Sequence, residues 1–178
     1  MAENSFPFQL VSAFEKQGVR FILVGGFAVN FHGFSRNTQD MDFLICEDDF
    51  SKAEEALKGL DYEGYSRTEN FAQFKAGRLG FMDVDLMFVT RETFEHMYAD
   101  RAKGSLGGAE VSVPSLKNLI ALKLHSMKNN RYRILSDMED VVRLMKKHAM
   151  DPRGAGFRAL CTKYGTDEIY SKILLMWE

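Results

Sequence analysis

Asp40 and Asp42 stand two residues apart, between the polar run Arg36-Asn37-Thr38-Gln39 and the apolar run Phe43-Leu44-Ile45. Alternate residues of a β-strand project from one face, so a strand here aims both carboxylates the same way. Two like charges held that close repel unless a cation lies between them. Their apolar surroundings make an unpartnered structural role costly. A hard, oxygen-liking ion, Mg²⁺ or Mn²⁺, is the natural partner.

A second run, Phe81-Met82-Asp83-Val84-Asp85-Leu86-Met87-Phe88, repeats the spacing. In-line displacement at phosphorus uses carboxylates to fix metal ions and orient an attacking hydroxyl. Asp85, directly before the apolar run, is the preferred third ligand. Asp83 is the rival, or a neighbour in support. Upstream, Gly25-Gly26 can turn the chain tightly and let a phosphate approach with no Cβ in the way. The sequence around them matches neither a Walker loop nor a dinucleotide fingerprint.

Val24-Gly25-Gly26-Phe27-Ala28-Val29 through His32-Gly33, followed by Arg36-Asn37-Thr38-Gln39-Asp40-Met41-Asp42, resembles the polymerase-β-like nucleotidyltransferase superfamily. The likeness is greatest to the branch of abortive-infection type IV toxin nucleotidyltransferases and covers Phe21 to Lys147. It implies a mixed α/β (α+β) sheet flanked by helices, and transfer of a nucleoside monophosphate from an NTP such as ATP to an acceptor hydroxyl, with release of pyrophosphate. On the same resemblance Lys123 would bind the triphosphate, and Asp137 or Asp140 would support the site. The acceptor stays open among a transfer RNA end or other RNA, a protein hydroxyl, a small alcohol and an antibiotic, and a cognate antitoxin is the protein partner to test. The residues add their own reading. Arg36 can neutralise phosphate charge, and the Thr38 hydroxyl can order its loop. Lys123, among Leu119, Ile120, Leu122 and Leu124, must either reach water or be held by an anion. Arg133 and Asp137, spaced i, i+4, can also form a plain helix ion pair. The competing reading is a nucleotide-binding module or toxin–antitoxin component of the same fold without catalysis.

The elements that must position these groups follow from patterning. Helices are expected from Phe8 to Gln17 and, after the Gly25-Gly26 turn, from Phe27 to Phe31. Phe21–Val24 and Met41–Cys46 read as strands buried in a sheet. Asp48 or Asp49 can cap a helix to about Leu60. Tyr62–Tyr65, Phe71–Lys75, Leu79–Val89 and Ala109–Val113 are strand-like, and Thr93–Tyr98 helical. Helices from Leu116 to Asn129 (capped by Ser115), Ile134 to His148, after Pro152 and after Thr166 make a helical C-terminal third. The expected division is a catalytic core over 1–114 with 115–178 packed on it as one unit.

Composition narrows the classes. The 178 residues are 46% hydrophobic and 27% charged, ordinary for a globular protein. No apolar stretch is long enough for a bilayer span, and the N-terminus lacks a signal-peptide pattern, so a cytoplasmic protein is expected. Cys46 and Cys161 form no Cys-x-x-Cys, and the four histidines have no ligand spacing. Net charge is −2, yet nine Lys/Arg face four acids between Lys117 and Arg153. That segment could meet a polyanion, or be a solvated helix surface.

Overall fold

A computed structural model describes residues 5–178. The chain forms two units, residues 1–28 with 37–115, and residues 29–36 with 116–178. Helix α1 (Phe6–Lys16) starts at the Ser5 cap, whose hydroxyl accepts the Phe8 N–H at 3.3 Å, and buries Leu10, Val11 and Phe14. Strand β1 (Phe21–Leu23) leads into α2 (Gly25–Phe31). The glycines are therefore the first turn of that helix, not a loop ahead of it. Gly25 makes the turn in one residue, at φ +59°.

Strand β2 (Asp40–Cys46) is followed by a short 3₁₀ turn over Glu47–Asp49 and by α3 (Phe50–Gly59). Asp49 occupies the N-cap of α3 without a side-chain capping bond, so the expected carboxylate cap is not formed. Strands β3 (Tyr62–Arg67), β4 (Phe71–Ala76) and β5 (Asp83–Val89) complete a sheet of order β1-β2-β5-β4-β3. β2 and β5 run parallel, and the other pairings are antiparallel. Helix α4 (Arg91–Ala99) packs against β2. Strands β6 (Ala102–Leu106) and β7 (Ala109–Val113) form a separate hairpin whose two-residue turn, Gly107-Gly108, has both φ angles positive.

Strand alternation decides what each face of the sheet does. Met41, Phe43 and Ile45 point into a core with Val84, Leu86, Phe74, Leu10, Phe14 and Leu57. Phe43 meets Phe14 and Phe21 edge-on, each at 5.3 Å between centroids. Asp40 and Asp42 occupy the alternate positions and leave on the opposite face.

The helical unit contains α5 (Leu116–Asn129), α6 (Ile134–Lys147), α7 (Ala155–Tyr164) and α8 (Asp167–Trp177). Its core is built on Ile120, Leu124, Met138, Val141, Met145, Phe157 and Ile173. Thr166 caps α8 by accepting the Ile169 N–H at 3.2 Å. Residues 29–36 group with these helices, which the expected boundary at 114/115 does not anticipate. No helix among the described residues is long and apolar enough to cross a membrane.

Candidate active site

Parallel pairing sets Asp42 beside Asp85 and Asp40 beside Asp83 on neighbouring strands. Asp40, Asp42 and Asp85 each bring a carboxylate oxygen within 4.8 Å of the others. Asp85 is buried, and the other two are half-buried. Among the described residues this is the group of three or more potential ligands close enough to share a cation. An all-carboxylate donor set of this spacing fits a hard divalent ion and does not fit a soft one.

Gly25 has a use the sequence reading missed. Val24 donates its N–H to the Asp42 carbonyl at 2.8 Å, extending the ladder beyond β1. The chain then turns so closely over β2 that a Cβ on Gly25 would lie 1.8 Å from Asp42 Oδ2. The missing side chain of Gly25 thus makes room for the aspartate itself.

Polar neighbours orient the other two acids. The Thr38 hydroxyl lies 3.1 Å from the Asp40 carbonyl oxygen and 3.2 Å from its Oδ1, so one proton serves both. Gln73 on β4 donates to Asp85 through Nε2, 3.2 Å from Oδ1 and 3.4 Å from Oδ2. Gln73 is also paired across the sheet with Asp85. Its signal in the sequence was a lone amide inside Phe71-Ala72-Gln73-Phe74, on the face opposite Ala72 and Phe74. Asp83 lies outside the group of three, and its Oδ1 accepts the Ala76 N–H at 2.9 Å.

Tyr65 sits at a bulge in β3, between Gly64 and Ser66, and is 57% exposed. Burial, then the charges of Asp85, Asp83 and Asp40, push its phenol above the ordinary value. Tyr62, whose hydroxyl donates to the Met82 carbonyl at 2.8 Å, is raised mainly by burial, with Asp83 adding to it.

The remaining expected site residues lie in the helical unit. Lys123 is buried, with Nζ 2.9 Å from Asp137 Oδ1 and 2.7 Å from Asp140 Oδ2. Arg36 Nη1 is 2.6 Å from the same Asp140 oxygen. Asn30 clamps the Arg36 backbone, accepting its N–H at 2.7 Å and donating to its carbonyl at 3.1 Å. The expected Arg133–Asp137 pair is present at 3.4 Å, but Lys123 is the nearer partner. Burial raises the Asp137 carboxyl, while Lys123, Ser126 and Arg133 outweigh it and hold the group below the usual carboxylate range.

The family described as "Uncharacterised nucleotidyltransferase" matches residues 8–178. No curated protein matches the chain. Among solved structures, the lincosamide antibiotic adenylyltransferase LnuA bound to lincomycin aligns with TM-score 0.58 and 14% identity, over 82% of this chain and 96% of that one. The antibiotic-resistance factor ANT(2'')-Ia aligns with TM-score 0.56 and 15% identity, over 97% and 89%. An antigenic nucleotidyltransferase-like protein from Paracoccidioides brasiliensis aligns with TM-score 0.55 and 18% identity, over 94% and 90%. At these identities the likeness is one of fold.

Proposed function

This chain belongs to the family of uncharacterised nucleotidyltransferases, and from that premise we propose that it moves a nucleoside monophosphate from an NTP to an acceptor hydroxyl. The observation that carries the proposal is the convergence of oxygens from Asp40, Asp42 and Asp85 within 4.8 Å on one sheet face. These three would hold Mg²⁺ or Mn²⁺, with Asp83, beside Asp40 in register, engaged by the Ala76 N–H. A divalent cation bound there would supply Lewis-acid polarisation of the phosphoryl oxygens and favour ionisation of the attacking hydroxyl. The acceptor oxygen bonds to the α-phosphorus, the bond to the β-phosphate oxygen breaks, and pyrophosphate leaves.

Gly25 and Gly26 are assigned to the triphosphate, and Thr38 to setting the Asp40 carboxylate. Arg36, whose side chain is 31% exposed, is the cation offered to phosphate. Lys123 can touch phosphate only by leaving Asp137 and Asp140. As it stands, it fixes the Asp140 carboxylate that holds Arg36. Kinship with the abortive-infection toxins, and with it an RNA acceptor and an antitoxin partner, is part of this proposal and not of the family membership.

The test is incubation with each α-labelled nucleoside triphosphate, Mg²⁺, and total RNA or lysate. Wild-type protein should transfer label, and Asp40→Ala and Asp42→Ala should lose on the order of 10²–10³-fold in rate or more. Transfer by both variants at the wild-type rate refutes the proposal.

A further inference from the structure

We propose that the turn between α5 and α6, with the cleft beside it, binds a single-stranded polynucleotide. The helical unit holds 13 Lys/Arg and 7 Asp/Glu, a net +6, whereas the sheet unit holds 10 and 18, a net −8. Two of the seven acids, Asp137 and Asp140, are buried and matched by Lys123, Arg36 and Arg133. The positive excess therefore lies on the surface of this unit.

The turn is fastened by its own amides. Asn129 Nδ2 donates to the His125 carbonyl at 2.8 Å, and Asn130 Oδ1 accepts the Tyr132 N–H at 3.0 Å. So fastened, it presents Tyr132 with 90% of its surface exposed, between Arg131 and Arg133. Beside it opens a cleft of about 310 Å³ lined by Lys128, Arg131, Ile134, Thr166, Ile169 and Lys172. Glu168 also lines it and is bonded to Lys172 at 2.6 Å, which offsets that charge. Ion pairs among the described residues engage Arg133, Arg143, Arg153 and Lys172, but not Lys128 or Arg131.

Two unengaged cations beside an exposed ring suit a ligand with both phosphates and accessible flat faces. An acidic peptide supplies the charge without the faces. A duplex supplies phosphates and hides the faces. A single strand supplies both, its phosphates meeting Lys128 and Arg131 while a base stacks on Tyr132. RNA and DNA share this chemistry.

The experiment is fluorescence anisotropy of the full chain with short labelled oligouridine and oligothymidine over a range of salt. Binding should weaken with salt, with a log–log slope of about −0.7 for each phosphate neutralised. Tyr132→Ala should weaken it about 5-fold or more, and Tyr132→Trp should retain it. Lys128→Ala/Arg131→Ala should flatten the salt slope. These side chains are exposed, and circular dichroism should confirm unchanged helicity. Preference for oligouridine names RNA as the source, while equal affinity supports the site through phosphates and bases alone. The proposal is overturned if Tyr132→Ala binds like wild type, or if polyglutamate or duplex competes as well as a single strand. Asp42→Asn should bind the oligonucleotides normally, so failure of nucleotidyl transfer and failure of this site are separable.

Discussion

The chain handles its two sets of aspartates in opposite ways. Asp137 and Asp140, 1% and 2% exposed, are satisfied by Lys123, Arg36 and Arg133. Asp40 accepts the Thr38 hydroxyl and Asp85 the Gln73 amide, in a trio whose oxygens converge on one sheet face. A buried carboxylate matched by protein cations is internally complete and holds helices together. Three carboxylates converging within 4.8 Å on one sheet face instead offer oxygens that a divalent cation can share. The first arrangement is read as structure and the second as chemistry.

Charge removal should separate the two sets most sharply. Lys123→Met removes the buried cation that Asp137 and Asp140 share and should cost about 3–5 kcal/mol in urea denaturation. Asp40→Asn and Asp42→Asn relieve like-charge repulsion and should leave the midpoint unchanged or raised. The contrast collapses if Asp42→Asn destabilises as much as Lys123→Met. Gly25→Ala comes next. Its Cβ would meet Asp42 Oδ2 at a backbone φ of +59°, a strain of about 1–3 kcal/mol. The displaced carboxylate should weaken Mn²⁺ binding in calorimetry. Undiminished affinity would show that Gly25 does not set Asp42.

The smallest effect concerns pH. The Asp137 carboxyl is depressed in the folded protein relative to an unfolded value of about 3.9. Its contribution to stability is therefore complete above that value and lost as pH falls through the lower folded one. Denaturation midpoints followed downward from pH 5 should drop in wild type, and Asp137→Asn should flatten the drop. Equal slopes would remove Asp137 from the account.

Much of the sheet was legible because strands buried on both faces read as short continuous apolar runs, as in Phe21–Leu23 and along Phe43-Leu44-Ile45, while Ala109–Val113 alternates. Phe21–Leu23 and Asp40–Cys46 stand within a residue of their predicted bounds, and Ala109–Val113 coincides with its own. Strand β6 escaped because Ala102-Lys103-Gly104-Ser105-Leu106 has small and polar residues where a β pattern wants branched ones. The Asp-x-Asp spacing pointed to a shared face, and that face carries the convergent trio. No spacing rule could reveal that Gly25 stands over Asp42, or that Asp140 serves both Arg36 and Lys123. Those relations join residues 17 and 104 positions apart, and 17 for the remaining pair, contacts that exist only once the chain has folded.

Strand β2 carries a consequence beyond geometry. Its odd-numbered residues Met41, Phe43 and Ile45 are core, and its even-numbered Asp40 and Asp42 bear the acids. A slip of one residue would drive charge into the core and expose phenylalanine at the same stroke. Folding thus acts as a quality gate on reactivity. Any molecule that has acquired its hydrophobic core has already aimed its carboxylates, so a correctly packed population with a misdirected β2 is not an accessible state.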